Sequence, residues 1–263
     1  MVNAEMSPQS KNGLLRSMNG QVLWLAFDRP RASNAIDATL AQEFADSLAH
    51  AGQDNSVGAV VFTGNGGKVF SAGIDVKNPD NLDHESLSAY RRNAVSACLA
   101  AIVNFDKPLL AAVNGPAIGL GSMLAFLADR VIASESASFS LPEIEIGIPT
   151  FLGISILTRA AGTSIARELV LTGRRMDARE AWQRNLVAVL SSIEELAGAA
   201  QTSAEALAAK SRVTYALNKR WLSRGLSEEL AAANAQSISV QPQLAAEKLF
   251  QASQSHNLSK GNK

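Results

Sequence analysis

The stretch from Asn114 to Leu124, NGPAIGLGSML, holds three glycines and a proline but no charged or imidazole side chain. It follows Pro108–Val113, an apolar run typical of a strand, and leads into an apolar run that ends near Ala128. Glycine permits positive φ and close backbone approach. The first N–H groups of a helix lack intrahelical partners and carry partial positive charge. The pattern predicts a strand, a tight turn and a buried helix, and either packing or the helix N–H groups explain the glycines.

Segments typical of strands and helices alternate through the first half, and helical patterns dominate from Leu152 onward. This order favours an α/β core followed by a helical C-terminal region. We expect a flexible tail at 1–13, a core domain at 14–200 and a helical region at 201–263. The predicted strands are Gln21–Phe27, Val57–Thr63, Pro108–Val113, Arg130–Ala133 and Ser138–Leu141. The predicted helices are Ala38–Ala51 with Asp37 as N-cap, Ser86–Val103, Ser122–Ala128, Ile193–Ala209 and Leu226–Ala235.

Composition excludes several classes of protein. Of the 263 residues, 47% are apolar and 18% charged, which is typical of a globular chain. The 24 basic and 24 acidic side chains cancel, and no basic run favours nucleic acid. The apolar run Leu109–Leu127 is interrupted by Asn114, Pro116 and glycines, and the N-terminus lacks the pattern of a secretory signal. Cys98 is the only cysteine, which fits a reducing compartment. We expect a cytoplasmic protein without nucleic-acid or membrane partners.

A second glycine turn, FSAGID at Phe70–Asp75, also follows an apolar run. Two such turns brought together can aim two N–H groups at one oxygen, which would form an oxyanion hole. Tight packing is the alternative explanation for both turns. Phosphate-loop interpretations are weak, because TGNGGK at Thr63–Lys68 is followed by Val69 rather than by serine or threonine.

Five stretches together resemble the enoyl-CoA hydratase/isomerase superfamily, or crotonase fold. They are FDRPRASNAID (Phe27–Asp37), VFSAGIDVK (Val69–Lys77), AAVNGPAIGLGSMLAFLADRVIAS (Ala111–Ser134), FSLPEIEIGIPTFLG (Phe139–Gly153) and LTGRRMDAREAWQRNLV (Leu171–Val187). The resemblance implies repeated ββα units that form two roughly perpendicular sheets, followed by a helical region. It implies an acyl-CoA thioester as substrate, with no metal or further cofactor. It also implies a homotrimer or hexamer, with much of the interface beyond about residue 200.

The resemblance also implies the catalytic groups. The oxyanion donors would be the main-chain N–H groups of Ile74 and Leu120, and the acid would be Glu143, which follows Leu-Pro. Hydratases of this superfamily carry another glutamate at the position of Met123. A single carboxylate can move a proton between two carbons but is poorly equipped to activate water. We therefore expect an enoyl-CoA double-bond isomerase. The alternatives are a hydratase or other lyase, a thioester hydrolase or decarboxylase, and an inactive acyl-CoA-binding protein.

The resemblance implies a coenzyme A site near Arg29–Ala32 and Ala72–Val76. Arg29 and Arg31 would meet phosphates as flexible cations, and Lys77 is a weaker candidate. Asp75 is expected to support its turn, and Met123 to fill space or shape the acyl pocket. The predicted substrate-binding residues are Arg29, Arg31, Ala32, Ala72, Asp75, Val76, Gly119 and Met123.

Other reactive side chains have simpler interpretations. The three histidines, His50, His84 and His256, are scattered without metal-ligand spacing. Ser71 and Ser122 lack a matching histidine for a nucleophilic triad. Glu145 is expected to be solvated, and Cys98 to be a small buried hydrophobic residue.

Overall fold

The computed structural model describes residues 12–77 and 83–247, and within these ranges nine strands, nine α-helices and two short 3-10 helices occur. The strands are β1 (Leu14–Asn19), β2 (Val22–Phe27), β3 (Ala59–Gly64), β4 (Leu109–Val113), β5 (Pro116–Ile118), β6 (Arg130–Ser134), β7 (Ser138–Ser140), β8 (Met176–Asp177) and β9 (Val189–Ser191). The helices are α1 (Ala38–Gln53), α2 (His84–Val103), α3 (Leu120–Leu127), α4 (Phe151–Ala161), α5 (Thr163–Thr172), α6 (Ala178–Gln183), α7 (Leu196–Ala208), α8 (Arg212–Leu222) and α9 (Leu226–Ser239). Most of the predicted N-terminal tail lies outside the described residues, as does His256.

The strands form a six-stranded sheet in the order β1-β2-β3-β4-β6-β9 and a three-stranded sheet in the order β5-β7-β8. In the larger sheet β1 pairs antiparallel with β2, and the remaining pairs are parallel. Because β3 and β4 are parallel, their carboxyl ends lie at the same edge of the sheet. The first glycine turn comes after β3 and the second comes after β4. Both turns therefore begin at this edge of the sheet, and the topology brings them together.

The central strands of the large sheet are buried on both faces. In β3, Val60 and Phe62 join the core formed with α1, α2 and α3, whereas Ala59 and Val61 pack with residues of α7. A strand that is covered on both faces has an almost continuous apolar sequence. This is why the sequence of Val57–Thr63 predicted a strand. Four fully buried phenylalanines pack edge-on or tilted in the first of these cores: Phe27, Phe44, Phe62 and Phe70.

The C-terminal helices attach to this core in two ways. The predicted boundary after residue 200 falls inside α7, whose Ala200 and Ala204 are fully buried against the sheet. Helix α8 is fixed by Lys219, whose buried ammonium pairs with Asp129 at 2.8 Å and donates to the Lys107 carbonyl at 3.1 Å. A buried charge needs such partners, because its desolvation would otherwise cost several kcal/mol.

The structure differs from the sequence prediction mainly in short strands. β1 was not predicted, because its half-polar sequence LLRSMN lacks a clear apolar run. The helical pattern predicted from Leu152 onward is interrupted at β8 and β9, which have only two and three residues and therefore leave no periodic signal. Helix α3 begins two residues earlier than predicted, at Leu120. The Asp37 cap is confirmed, since its carboxylate accepts from the Leu40 N–H at 2.9 Å. In the described ranges, no helix combines the length and apolarity needed to cross a membrane.

Candidate active site

The two glycine turns lie against each other. The Ile118 N–H donates to the Ser71 carbonyl at 2.9 Å, and Ser71 also forms a bridge with Ala117. A Cβ atom at Gly73 would lie 2.6 Å from the Ile118 carbonyl oxygen and 3.3 Å from the Leu120 nitrogen. Gly73 also has φ of +87°, a conformation that side-chain-bearing residues rarely adopt. Glycine is therefore required where the first turn meets the start of α3.

The N–H groups of Ile74 and Leu120 stand out from their neighbours in the turns. The Gly73 N–H donates to Ser71 Oγ at 3.1 Å, the Asp75 N–H to the Ile36 carbonyl at 2.9 Å, and the Gly119 N–H to the Ser140 carbonyl at 2.9 Å. Within the described part of the chain, the Ile74 and Leu120 N–H groups have no acceptor. Leu120 is the first residue of α3, so helix geometry itself leaves its donor free. Both groups can therefore donate to an oxygen from outside the chain.

The Glu143 carboxylate lies beside the second turn. Glu143 is in a short 3-10 helix at Pro142–Ile146, and a Cβ at Gly119 would lie 2.9 Å from its Oε1. Its Oε2 is buried and has no hydrogen-bond partner among the described residues. Burial raises the pKa of Glu143, because a carboxylate loses hydration when it leaves water. A carboxyl group whose pKa is raised in this way is suited to accept a proton and to return it.

Met123 lies one turn into α3, where its N–H donates to the Gly119 carbonyl at 3.1 Å. Its side chain is buried, and its Cε would lie 3.1 Å from a Cβ at Gly153 in α4. The thioether therefore fills the space between two helices, and this position supplies no ionisable group to the site.

Arg29 is not the flexible cation that the sequence suggested. Its guanidinium pairs with Asp75 at 2.9 Å and with Asp37 at 3.2 Å, and it donates to the Ala35 carbonyl at 2.6 Å. Asp75 also accepts from the Lys77 N–H at 3.0 Å. Burial alone would raise the pKa of Asp75, but the Lys77 N–H and the Arg29 guanidinium hold it below its usual range. Asp75 is thus held by the Lys77 N–H and by Arg29, and its contact with a substrate stays a prediction.

The two segments predicted to contact coenzyme A are neighbours. The Ala72 N–H donates to the Ser33 carbonyl at 2.9 Å, and the Ile36 N–H donates to the Gly73 carbonyl at 2.8 Å. Arg31 and Val76 are exposed on these segments, and Ala32 and Ala72 are half-buried. Of the two predicted phosphate-binding arginines, only Arg31 remains without an ion pair among the described residues.

The remaining reactive side chains are either bonded within the protein, buried or exposed. Ser71 Oγ donates to the Asn34 carbonyl at 2.8 Å, and Ser122 Oγ donates to the Ala117 carbonyl at 2.6 Å, both inside the protein. Cys98 is buried in α2, which raises the pKa of its thiol to about 12. Glu145 is exposed, as predicted. In the ranges 12–77 and 83–247, His, Cys, Asp and Glu form no group of three that could hold a metal ion.

Sequence reasoning missed two arginines beside this site. Arg91 and Arg92 of α2 line a cavity of about 260 Å³ that also contacts Ile74, the loop at Ile148 and helix α9. The sequence does show two adjacent arginines in the helix after the first glycine turn. They lie at helical spacing from Ser88 and Val95. Nothing in that spacing indicated that this helix face borders the Ile74 turn.

Comparison with known proteins identifies the family. Residues 17–262 match the family model for enoyl-CoA hydratase/isomerase. The chain is 38% identical to a probable enoyl-CoA hydratase of Rhizobium meliloti over 83% of this chain and 84% of that protein. It is 38% identical to a mitochondrial enoyl-CoA hydratase of Pongo abelii over 82% of this chain and 73% of that protein. A solved enoyl-CoA hydratase/isomerase of Pseudoalteromonas atlantica aligns with a TM-score of 0.79 and 31% identity, covering 94% of this chain and 97% of that one.

The protein therefore has the crotonase fold, and the predicted fold class is confirmed. The chain belongs to the enoyl-CoA hydratase/isomerase family and is an enzyme of that kind. The preference for isomerisation over hydration stays a prediction.

Proposed function

We propose that the protein is an enoyl-CoA isomerase in which Glu143 is the only acid–base residue at the reacting carbons. The observation that carries the proposal is the contrast between two positions beside the Gly119 turn. Glu143 presents a buried carboxylate oxygen without a partner, whereas Met123, on the facing helix, is a buried thioether. One group can exchange a proton there, and the other cannot.

The proposed reaction begins with a 3-enoyl thioester whose carbonyl oxygen accepts from the Ile74 and Leu120 N–H groups. Ionised Glu143 takes a proton from C2, and the electron pair moves onto the carbonyl oxygen to give a dienolate. The two N–H groups stabilise this charge where it develops. The protonated Glu143 then returns the proton to C4, the double bond moves to C2–C3, and Glu143 is ionised again. No water is consumed, so no second carboxylate is needed.

Substrate contacts extend this proposal to the coenzyme. Arg31 would meet a phosphate, because it is exposed and lies on a segment bonded to the first glycine turn. Arg29 and Asp75 would act indirectly, by holding the turn that carries the Ile74 N–H. Gly119, Ala32, Ala72 and Val76 would contribute backbone and surface next to the ligand, and Met123 would border the acyl chain.

Hydration is the second candidate, and the names of the relatives favour it, since both relatives compared above are called enoyl-CoA hydratases. The test is the ratio of two rates on thioesters of matched chain length: conversion of 3-enoyl-CoA to 2-enoyl-CoA, and hydration of 2-enoyl-CoA. We expect isomerisation to be faster by about 10²-fold, because a poorly positioned water costs about that much in rate. A hydration rate above the isomerisation rate would reject the isomerase proposal.

A pair of substitutions at one position sharpens this test. Met123→Glu introduces the carboxylate that the isomerase proposal lacks, and Met123→Gln has a similar size without the charge. We expect a higher hydration rate only in Met123→Glu, and a small gain, because two neighbouring carboxylates raise the pKa of one of them. Equal hydration rates in the two variants would show that the missing acid does not limit hydration.

We also propose self-association through α8. Val213, Leu217 and Trp221 follow one another at helical spacing and are 72%, 58% and 67% exposed. An apolar stripe of this kind is typical of an interface, which agrees with the trimer or hexamer implied by the family. Light scattering should give a trimer or hexamer mass, and Leu217→Asp combined with Trp221→Asp should lower it to that of a monomer. A monomeric wild type would reject this proposal.

A further inference from the structure

The cavity next to Ile74 has a mixed lining. Its apolar residues include Ile74, Leu87, Ile148, Pro149 and Leu152. Its polar residues come from α2 and from the region of α9, among them Arg91, Arg92 and Asn234. Ile74, whose N–H is one of the two free donors, lines this cavity, so a ligand held by that N–H would lie at the edge of the cavity.

The two arginines have few partners for their charge. Arg91 Nη2 donates to the Val76 carbonyl, and its Nε is buried without a hydrogen-bond partner in the described part of the chain. Arg92 Nη1 donates to Ser88 Oγ at 2.6 Å. Within 12–77 and 83–247, neither arginine forms an ion pair, and the described lining of the cavity contains no Asp or Glu. Leaving charge at an apolar cavity without a counter-charge is costly, so the pair favours an anionic ligand.

We propose that this cavity receives an acyl chain whose far end carries a carboxylate, held by Arg91 and Arg92. The enzyme would then act on dicarboxylic acyl-CoA thioesters in preference to simple fatty acyl-CoA thioesters. Arg91 contacts the carbonyl of Val76, and the three residues from Ile74 to Val76 span at most about 11 Å. A short dicarboxylic chain bridges that distance, with the thioester at Ile74 and the carboxylate at the arginines.

The inference rests on the proposed function, so its test has one part that needs no turnover. Adipyl-CoA and hexanoyl-CoA are saturated thioesters of equal chain length that differ in the terminal carboxylate. Calorimetry with the full-length wild type should show adipyl-CoA binding about 10- to 100-fold more tightly, the usual effect of hydrogen bonds to a charged group. Equal affinities, or tighter binding of hexanoyl-CoA, would overturn the inference even in a protein that is active on enoyl thioesters.

Kinetics of double-bond migration in 3,4-dehydroadipyl-CoA and hex-3-enoyl-CoA, which differ in the same terminal carboxylate, form the second part. Arg91→Met and Arg92→Met should lower kcat/KM for the dicarboxylic thioester by about 10- to 100-fold, while kcat/KM for hex-3-enoyl-CoA changes by less than about 3-fold. The control is Arg179→Met, which removes an exposed arginine on α6 and should change neither value.

The two proposals fail differently. If the arginines only secure the Val76 segment, the two variants will lose activity on both thioesters equally, and this inference is overturned while the enzyme function stands. If the wild type turns over neither thioester but binds adipyl-CoA preferentially, the proposed reaction is rejected and the carboxylate site stands.

Discussion

Asp75 and Glu143 are carboxylates beside the same pair of glycine turns, yet their surroundings are opposite. Asp75 accepts from the Lys77 N–H at 3.0 Å and pairs with Arg29 at 2.9 Å, and these partners lower its pKa. Glu143 has a buried Oε2 with no partner in the described ranges, and burial raises its pKa. The partners of Asp75 thus favour its ionised form, whereas burial of Glu143 favours its protonated form.

This difference between Asp75 and Glu143 distinguishes the carboxylate with a structural role from the one proposed to react. A carboxylate whose lone pairs are occupied stabilises the backbone around it and has nothing left for a substrate. A buried carboxylate without partners costs stability, and such a cost is common at functional sites. Asp75 therefore maintains the position of the Ile74 N–H, and Glu143 is the group that we propose to react.

The largest expected effect is on turnover in Glu143→Gln. If Glu143 is the proton shuttle, the variant should lose about 10²–10⁴-fold in kcat, because glutamine cannot take up the C2 proton. Steady-state kinetics with calorimetric binding would check that the ligand still binds. The matched control is Glu145→Gln, two residues along and exposed, which should keep wild-type kinetics. Near-normal turnover in Glu143→Gln would remove the distinction between the two carboxylates.

The next largest expected effect is on turnover in Gly119→Ala, at the glycine turn beside Glu143. Gly119 has φ of +53°, and a Cβ there would lie 2.9 Å from Glu143 Oε1. Gly119→Ala should therefore displace both the acid and the Leu120 N–H, and lower kcat by about 10²–10³-fold, the usual cost of losing an oxyanion donor. Gly198→Ala is the control, since Gly198 lies in α7 with open space around its Cβ position. A fully active Gly119→Ala variant would contradict the proposed geometry.

The prediction for Asp75 is a loss of stability. Asp75→Asn removes the charge that pairs with Arg29, so the free energy of unfolding should fall by about 1.5–3 kcal/mol, as for other hydrogen bonds to charged groups. Urea denaturation measures this. Glu135→Gln is the control, because its pair with Arg179 is exposed on both sides and should be worth less than about 1 kcal/mol. Equal effects in the two variants would show that Asp75 has no special structural role.

The smallest expected effect is a gain of stability in Glu143→Gln. A carboxyl group whose pKa is higher in the folded state stabilises the fold at low pH, and this contribution is lost as pH rises through the folded-state pKa. The variant should therefore be more stable than the wild type at pH 8, and the difference should vanish near pH 4. Thermal unfolding at both pH values tests this. A variant that is less stable at pH 8 would indicate that Glu143 has a stabilising partner.

The sequence predicted the parts of this site that depend on backbone chemistry. The glycines predicted the two turns correctly, because only glycine fits where Gly73 approaches Ile118 and Leu120. Glu143 was selected through the family resemblance, since a lone glutamate after Leu-Pro carries no chemical signal of its own. Arg29 was misinterpreted because its partner Asp75 is 46 residues away in the sequence. Arg91 and Arg92 were missed because helical spacing does not reveal which neighbour a helix face meets.

The comparison between the two carboxylates can be measured directly by ¹³C NMR titration of the wild type, with the two signals assigned from Glu143→Gln and Asp75→Asn. The account predicts that Glu143 titrates above the ordinary glutamate pKa of 4.5, and that Asp75 titrates below the ordinary aspartate pKa of 3.8. The acidic limb of kcat/KM should follow the Glu143 signal, because the ionised form takes the proton. A Glu143 pKa at or below 4.5 would contradict the central claim that this carboxylate is kept unpaired for proton transfer.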